Sequence, residues 1–134
     1  MTANYHIYLV SDSTGETLDR IFLAVKAQFS NFKCKTIHFS FTRTKNQVDK
    51  ILSKCKEEEN VIILYTIVDN GLAKYLTLKC REDNVPCFEV LGNLILNFSK
   101  LLKQDANRKP SGQHALDEEY YKRIEAVQFT MSHD

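Results

Sequence analysis

YHIYLVSDSTGET, at residues 5–17, places a strand, a polar turn and a helix start in direct succession. Ile7 to Val10 is short and apolar, the next residues carry hydroxyl groups, and an amphipathic pattern begins after Gly15. In such a unit the unpaired N–H groups of the first helical turn and the positive end of the helix dipole face one point beyond the strand. The segment therefore predicts an anion site, with a phosphoryl group as the expected ligand.

Strand-like and helix-like segments continue to alternate along the chain. Further strands are predicted at Lys35–Thr42, Val61–Thr66 and Pro86–Val90, and the second of these is apolar enough to be covered on both faces. Helical spacing of apolar residues lies between and after them. This order predicts an α/β fold with a doubly wound, mainly parallel four-stranded sheet and flanking helices, forming a first domain over residues 1–102. The apolar residues that mark the four helices are Leu18, Ile21, Phe22, Val25 and Phe29; Val48, Ile51, Leu52 and Cys55; Leu72, Leu76 and Cys80; and Leu94, Ile95, Phe98, Leu101 and Leu102.

Ligands of doubly wound sheets bind beyond the carboxyl ends of the strands. We call this edge of the sheet the rim. We expect it to gather the four segments that follow the strands, namely Ser11–Gly15, Thr42–Thr44, Thr66–Asp69 and Leu91–Asn93.

Composition limits the partners. Eighteen basic residues face seventeen acidic ones, for a net charge of +1, so we expect neither nucleic acid nor a membrane surface as a partner. The four cysteines have no zinc-ligand spacing, which predicts reduced, structural thiols and no metal site. We also expect no signal peptide or membrane-spanning segment, and hence a cytoplasmic protein.

The first turn supplies most of the candidate ligand-binding residues. Backbone and hydroxyl donors are expected from Ser11, Asp12, Ser13, Thr14 and Gly15. The alternative interpretation is a helix cap, because Ser, Asp and Thr are common N-cap residues. The turn lacks the glycines and the GK[ST] of a phosphate-binding P-loop, and the charge of the aspartate would repel an anion, so this residue could instead orient a hydroxyl, hold a metal or act as a base.

Four further residues are candidates for substrate binding. Arg43 is either a solvated loop residue or a bidentate phosphate clamp at the rim. Asp69 is either the N-cap of the third helix or a second carboxylate at the rim. His114 and Arg123 lie late in the chain, where an exposed or salt-bridged surface role is the alternative to ligand binding.

The character of the sequence changes after the fourth helix. Residues 103–116 are polar and include Pro110 and Gly112, which predicts a linker loop. A last helix is predicted over residues 117–134, with Asp117 as N-cap. Its apolar residues recur on one stripe, at Tyr120, Ile124, Val127 and Met131.

Several motifs together resemble one known family. These are HIYLVSDSTGET (residues 6–17), FTRT (41–44), LYTIVD (64–69), VPC (85–87) and above all GQHALDEEYYKRIEAVQFTMSHD (112–134). In this order they resemble the pyruvate, phosphate dikinase regulatory protein family, which includes relatives that act on phosphoenolpyruvate synthase.

The resemblance implies a bifunctional enzyme. One activity would be an ADP-dependent serine/threonine kinase that inactivates the dikinase by phosphorylating a threonine. The other would be a phosphorylase that uses inorganic phosphate and releases pyrophosphate. ADP and phosphate are thus implied as substrates of the complete protein, and pyruvate, phosphate dikinase or phosphoenolpyruvate synthase as its partner.

The resemblance also implies a missing half, because members of the family are about twice as long. They continue into a domain with a P-loop-like nucleotide site, to which residues 117–134 would connect. We therefore expect this chain alone to be inactive and to hold no cofactor, and we assign no catalytic residue within it. The matching positions Ser11–Gly15, Arg43, Asp69, His114 and Arg123 are implied to position substrate.

Two alternatives remain open from the sequence. The first is a flavodoxin-like electron carrier, since DSTGET at residues 12–17 is close to the hydroxyl-rich loop that binds flavin mononucleotide. The second is an interaction module, in which the apolar stripe of the last predicted helix mediates a homodimer.

Overall fold

Four parallel strands form one sheet in the computed structural model, which describes residues 4–108 of the chain. The order of the strands across the sheet is β2-β1-β3-β4, with β1 at Asn4–Ser11, β2 at Lys33–Phe39, β3 at Val61–Thr66 and β4 at Cys87–Glu89. Every pairing is parallel, and the register of β1 with β3 runs from His6 opposite Val61 to Ser11 opposite Thr66.

A helix follows each strand, as the alternating pattern predicts. The helices are α1 (Glu16–Lys26), α2 (Lys45–Glu57), α3 (Asn70–Glu82) and α4 (Gly92–Leu102). The predicted α/β class and doubly wound parallel sheet are therefore confirmed. The additional helix predicted over residues 117–134 lies outside the described residues.

The larger part of the core lies between α2, α3 and one face of the sheet. Tyr8 and Val10 point to this side from β1, and Ile63 does so from β3. Val48 of α2 and Leu76 of α3 meet them, each fully buried. Burial of apolar surface contributes about 25 cal/mol per Å², so this layer is the main source of stability.

The other face of the sheet has a smaller core beneath α1. Ile7 and Leu9 alternate with the residues of the first face, as strand geometry requires, and pack with Leu18 and Phe22. Ile62 and Leu64 of β3 are partly buried against this cluster. By contrast, no residue of α4 is buried.

The second strand ends earlier than predicted, at Phe39 rather than Thr42. After it the backbone turns, with a positive φ of 54° at Phe41. The N–H of Phe41 donates to the carbonyl of Ser13 at 2.9 Å, and that of Thr42 to the carbonyl of Ser11 at 2.8 Å. Hydrogen bonds to the turn after β1 thus replace the strand pairing that Phe41 and Thr42 favour as aromatic and β-branched residues.

Three smaller features concern the cysteines, a histidine and the length of the helices. All four cysteines are free thiols, and Cys55 and Cys80 are buried in the core. His38 lies in β2, but its side chain is 46% exposed and forms a hydrogen bond with Asp19 of α1 at 2.9 Å. Within residues 4–108, no helix is both long and apolar enough to cross a membrane.

Candidate functional site

The strand order fixes where a ligand can enter the sheet. The chain passes from β1 outward to β2 and then crosses back over β1 to β3. Because the two connections leave in opposite directions, a crevice opens between the carboxyl ends of β1 and β3. Ser11 and Thr66, directly opposite each other, are the last residues of these strands. The predicted site residues follow them.

The hydroxyl groups at this crevice form a buried network. Thr66 Oγ1 donates to Ser11 Oγ at 3.1 Å, and the hydroxyls of Ser11 and Ser13 lie 3.2 Å apart. The backbone N–H of Ser13 also donates to Ser11 Oγ, at 3.1 Å. All three side chains are at most 3% exposed. The network therefore shapes the turn between β1 and α1 from within, whereas Thr14 is exposed.

Gly15 is the N-cap of α1, so the interpretation in which a Ser, Asp or Thr side chain of this turn caps the helix is wrong. The glycine has φ +87° and ψ +5°, a left-handed conformation that disfavours other residues. No side chain caps the helix by a hydrogen bond. The first-turn N–H groups of α1 consequently keep the hydrogen-bonding capacity that an anion could use. Glu16 and Asp19 lie in the same turn and offset part of the positive field.

Asp12 is a buried carboxyl group at the centre of the crevice. Its side chain is 2% exposed, and Oδ2 accepts a hydrogen bond from the N–H of Val68 at 2.8 Å. Burial raises the pKa of this carboxyl above its usual range. The Val68 hydrogen bond and the charge of Arg43 oppose that shift, and the charge of Asp69 adds to it. The group therefore connects β1 to the segment after β3.

Arg43 reaches the same turn from the loop before α2. Its Nε donates to the carbonyl oxygen of Asp12 at 2.9 Å, and its guanidinium carbon lies 5.5 Å from the centre of the Phe41 ring. These two contacts fix the plane of the guanidinium group. Within residues 4–108, no hydrogen bond is recorded for its terminal nitrogens. They can therefore present the paired donors that suit a phosphoryl group.

A capping box holds the loop that carries Arg43. Thr44 is the N-cap of α2 and accepts from the N–H of Gln47 at 3.2 Å, while Oε1 of Gln47 accepts from the N–H of Thr44 at 3.0 Å. The same oxygen accepts from the N–H of Arg43 at 2.7 Å. Thr-x-x-Gln before an apolar run is the sequence signature of a capping box, but our sequence analysis did not predict one here.

Asp69 is the N-cap of α3, as one of its two interpretations predicts. Oδ2 accepts from the N–H of Leu72 at 2.8 Å, which satisfies one unpaired donor of the helix. The residue is exposed, and its charge acts on Asp12. It therefore also lies at the rim, where it adds negative charge.

The structure thus brings most of the predicted site residues to one crevice. Contacts link the turn after β1 to Arg43 and to the segment after β3, through Asp12 in both cases. His114 and Arg123 lie outside the described residues, so their relation to this crevice stays a prediction. Thr66 and Phe41 belong to the same arrangement, through the hydroxyl network and the guanidinium contact. In the part of the chain that the structure describes, no cluster of three or more His, Cys, Asp or Glu side chains could hold a metal ion.

A comparison with protein-family models finds a match over residues 7–134. The matching family is described as kinase/pyrophosphorylase. The match begins within β1 and includes the crevice, Arg43 and Asp69.

Comparison with curated proteins finds relatives that share one name, pyruvate, phosphate dikinase regulatory protein. One from Pelagibacter ubique is 65% identical over 134 residues, which is 100% of this chain and 49% of the relative. One from Chelativorans sp. is 39% identical over 130 residues, covering 97% of this chain and 47% of the relative. One from Sinorhizobium fredii is 41% identical over the same length and with the same shares.

The chain spans about half the length of these curated relatives. The matches extend across the described residues and through the motif at residues 112–134. They agree with the resemblance to the regulatory family and do not favour the flavodoxin-like alternative.

Proposed function

Because the chain belongs to the kinase/pyrophosphorylase family, we propose that it forms the amino-terminal half of a bifunctional regulator of pyruvate, phosphate dikinase. Phosphoenolpyruvate synthase is the alternative target within the same class of reaction. We propose the cytoplasm as its location.

The two proposed reactions share one reacting group. In the kinase direction, ADP gives its terminal phosphoryl group to a threonine hydroxyl of the target, and AMP and a proton are released. In the second reaction, which is not the reverse of the first, an oxygen of inorganic phosphate attacks the phosphorus of the phosphothreonine. The bond between phosphorus and the threonine oxygen breaks, a proton from the phosphate passes to that oxygen, and pyrophosphate is released. Both transition states concentrate negative charge on the transferred phosphoryl oxygens, so fixed N–H donors at that point would serve both reactions.

The observation that carries the proposal is the state of Arg43. The guanidinium group is held by Nε on the Asp12 carbonyl and by the Phe41 ring, beside the turn into α1. Its terminal nitrogens are left to bind a phosphoryl group, and the first-turn amides of α1 can contribute further donors. A clamp that is already oriented loses less conformational entropy when it binds.

We assign Asp12 a positioning role. It is too buried to reach a substrate without rearrangement, and its two hydrogen bonds hold Arg43 and Val68 in place. Ser11, Ser13, Thr14 and Gly15 shape the turn, and Asp69 caps α3 at its edge. We propose that His114 and Arg123 complete the substrate contacts and that the nucleotide binds in the second half of the complete protein.

An activity assay on the complete regulator tests this function. We expect ADP-dependent phosphorylation of pyruvate, phosphate dikinase or phosphoenolpyruvate synthase, and phosphate-dependent release of pyrophosphate from the phosphorylated target. Residues 1–134 alone should do neither. A complete protein that modifies neither target, or phosphorylation by residues 1–134 alone, would contradict the proposal.

A further inference from the structure

Helix α4 carries an apolar surface that the described residues leave largely open. None of its eleven residues is buried, and Leu94, Phe98 and Leu102 are 55%, 55% and 59% exposed. These three lie at spacings of four residues, which places them on one face of the helix. Neighbouring apolar side chains that are exposed together on one helix face are typical of an interaction surface.

The exposed face borders a groove of about 360 Å³. One wall consists of Leu94, Ile95, Phe98 and Leu102 of α4, and the other consists of Gln104, Asp105 and Ala106 in the loop that follows. The backbone leaving α4 therefore runs along the groove itself. Two residues after Ala106, Arg108 donates from Nη1 to the carbonyl of Val68 at 3.5 Å, so the described chain ends near the rim.

We propose that the groove is the docking site of the segment Asp117–Met131 of the same chain. The sequence of this segment has apolar residues at helical spacing, at Tyr120, Ile124, Val127 and Met131. Such a stripe matches the face of α4 in length, since α4 spans about 16 Å at 1.5 Å per residue. Two apolar stripes of this kind pack as neighbouring helices.

The connection is long enough for this contact. Arg108 and Asp117 are nine residues apart in the sequence, and an extended chain covers at most about 3.5 Å per residue, or about 30 Å in total. This reach exceeds the length of α4, so the segment can meet any part of the groove.

Charge favours an antiparallel arrangement. Lys100 and Lys103 lie at the carboxyl end of α4, whereas Asp117, Glu118 and Glu119 begin the segment. In an antiparallel pair these opposite charges lie close together, and the helix dipoles also oppose each other. The same charges would be separated in a parallel pair.

Hydrogen–deuterium exchange of the whole 134-residue chain tests the proposal. Phe98→Ser removes an apolar side chain from the wall of the groove. Because this weakens the proposed contact, we expect amide protection across residues 118–131 to fall by about tenfold or more. Leu96→Ser is the matched control, because Leu96 is 45% exposed on α4 but does not line the groove. Its exchange across residues 118–131 should equal that of the unmodified chain.

The reciprocal variants complete the test. Val127→Ser should lower protection of residues 94–102, whereas Phe129→Ser, on the opposite side of the predicted helix, should not. The proposal is overturned if neither Phe98→Ser nor Val127→Ser affects the other segment. It is also overturned if sedimentation shows a dimer whose dissociation by Phe98→Ser accounts for the exchange, since a second copy would then be the occupant.

Discussion

At the scale of single residues, Asp12 is the group on which the crevice depends. Its carboxylate accepts from Val68 after β3, and its carbonyl accepts from Arg43 before α2. Three chain segments therefore meet at one residue. Burial disfavours the ionised carboxylate, and the Val68 hydrogen bond compensates for part of that cost.

The raised pKa of Asp12 predicts a pH dependence of stability. The folded chain holds the Asp12 proton more tightly than the unfolded chain, so this group lowers the free energy of unfolding as pH rises above about 4. Asp12→Asn has no such proton, yet its amide oxygen can still accept from Val68. We expect its free energy of unfolding to fall less over this range, as measured by urea denaturation at several pH values. If the free energy of unfolding changed equally with pH in both proteins, the raised pKa of Asp12 would be contradicted.

In the proposed complete regulator, Arg43 predicts a specific effect on the use of inorganic phosphate. Arg43→Lys keeps the charge but loses the planar pair of donors and the contact between Nε and the Asp12 carbonyl. We expect the KM for inorganic phosphate to rise by about tenfold or more, the size of a lost charge-assisted hydrogen bond. Lys45→Gln is the control, because Lys45 instead lies over the Tyr75 ring. An unchanged KM in Arg43→Lys would count against the clamp.

At the scale of elements, apolar pattern and length predict the bounds of a strand correctly where neighbouring elements bury that strand. The strand predicted at Val61–Thr66 has the same first and last residues as β3, because both faces of β3 are covered. The predicted end of β2 is wrong because hydrogen bonds from Phe41 and Thr42 to the turn after β1 decide where the strand stops, and their partners are about thirty positions away in the sequence. Such long-range competition leaves no local trace in Lys35–Thr42.

The left-handed backbone of Gly15 predicts that alanine costs stability there, but not at Gly71 of α3. Gly15→Ala places a side chain at φ +87°, and we expect a loss of about 1 kcal/mol in the free energy of unfolding. Gly71→Ala lies within α3 at an ordinary φ, where alanine should be neutral or stabilise by up to about 1 kcal/mol. Denaturant titration measures both. Equal stability changes of the same sign would show that the left-handed turn is not strained by a side chain.

At the scale of the whole molecule, the rim could be predicted and its internal bonding could not. Parallel topology alone brings the ends of β1 and β3 together, which is why Ser11–Gly15 and Asp69 were expected near each other. The roles within the rim depend on geometry that a sequence does not contain. Gly15, not Ser13 or Thr14, caps α1, and the hydroxyls of Ser11 and Thr66 bond each other.

The core on the α2 and α3 side of the sheet is the larger one, so substitutions there should lower the free energy of unfolding most. Leu76 of α3 is fully buried in the larger core, so Leu76→Ala should lower the free energy of unfolding by about 2–5 kcal/mol. Leu78 of the same helix is 54% exposed, and Leu78→Ala should cost less than about 0.5 kcal/mol. Thermal or urea unfolding compares the two variants. A similar cost at both positions would mean that α3 does not pack as described.

The most direct test of the proposed phosphoryl site is an NMR titration of the isotopically labelled 134-residue chain. The ligands are inorganic phosphate and a phosphothreonine peptide, with sodium chloride at matched ionic strength as the control. The amide signals of Gly15 to Leu18 and the side-chain signals of Arg43 should shift with both ligands and not with chloride. Shifts confined to other residues, or no shifts at millimolar ligand, would contradict a phosphoryl site at the end of β1.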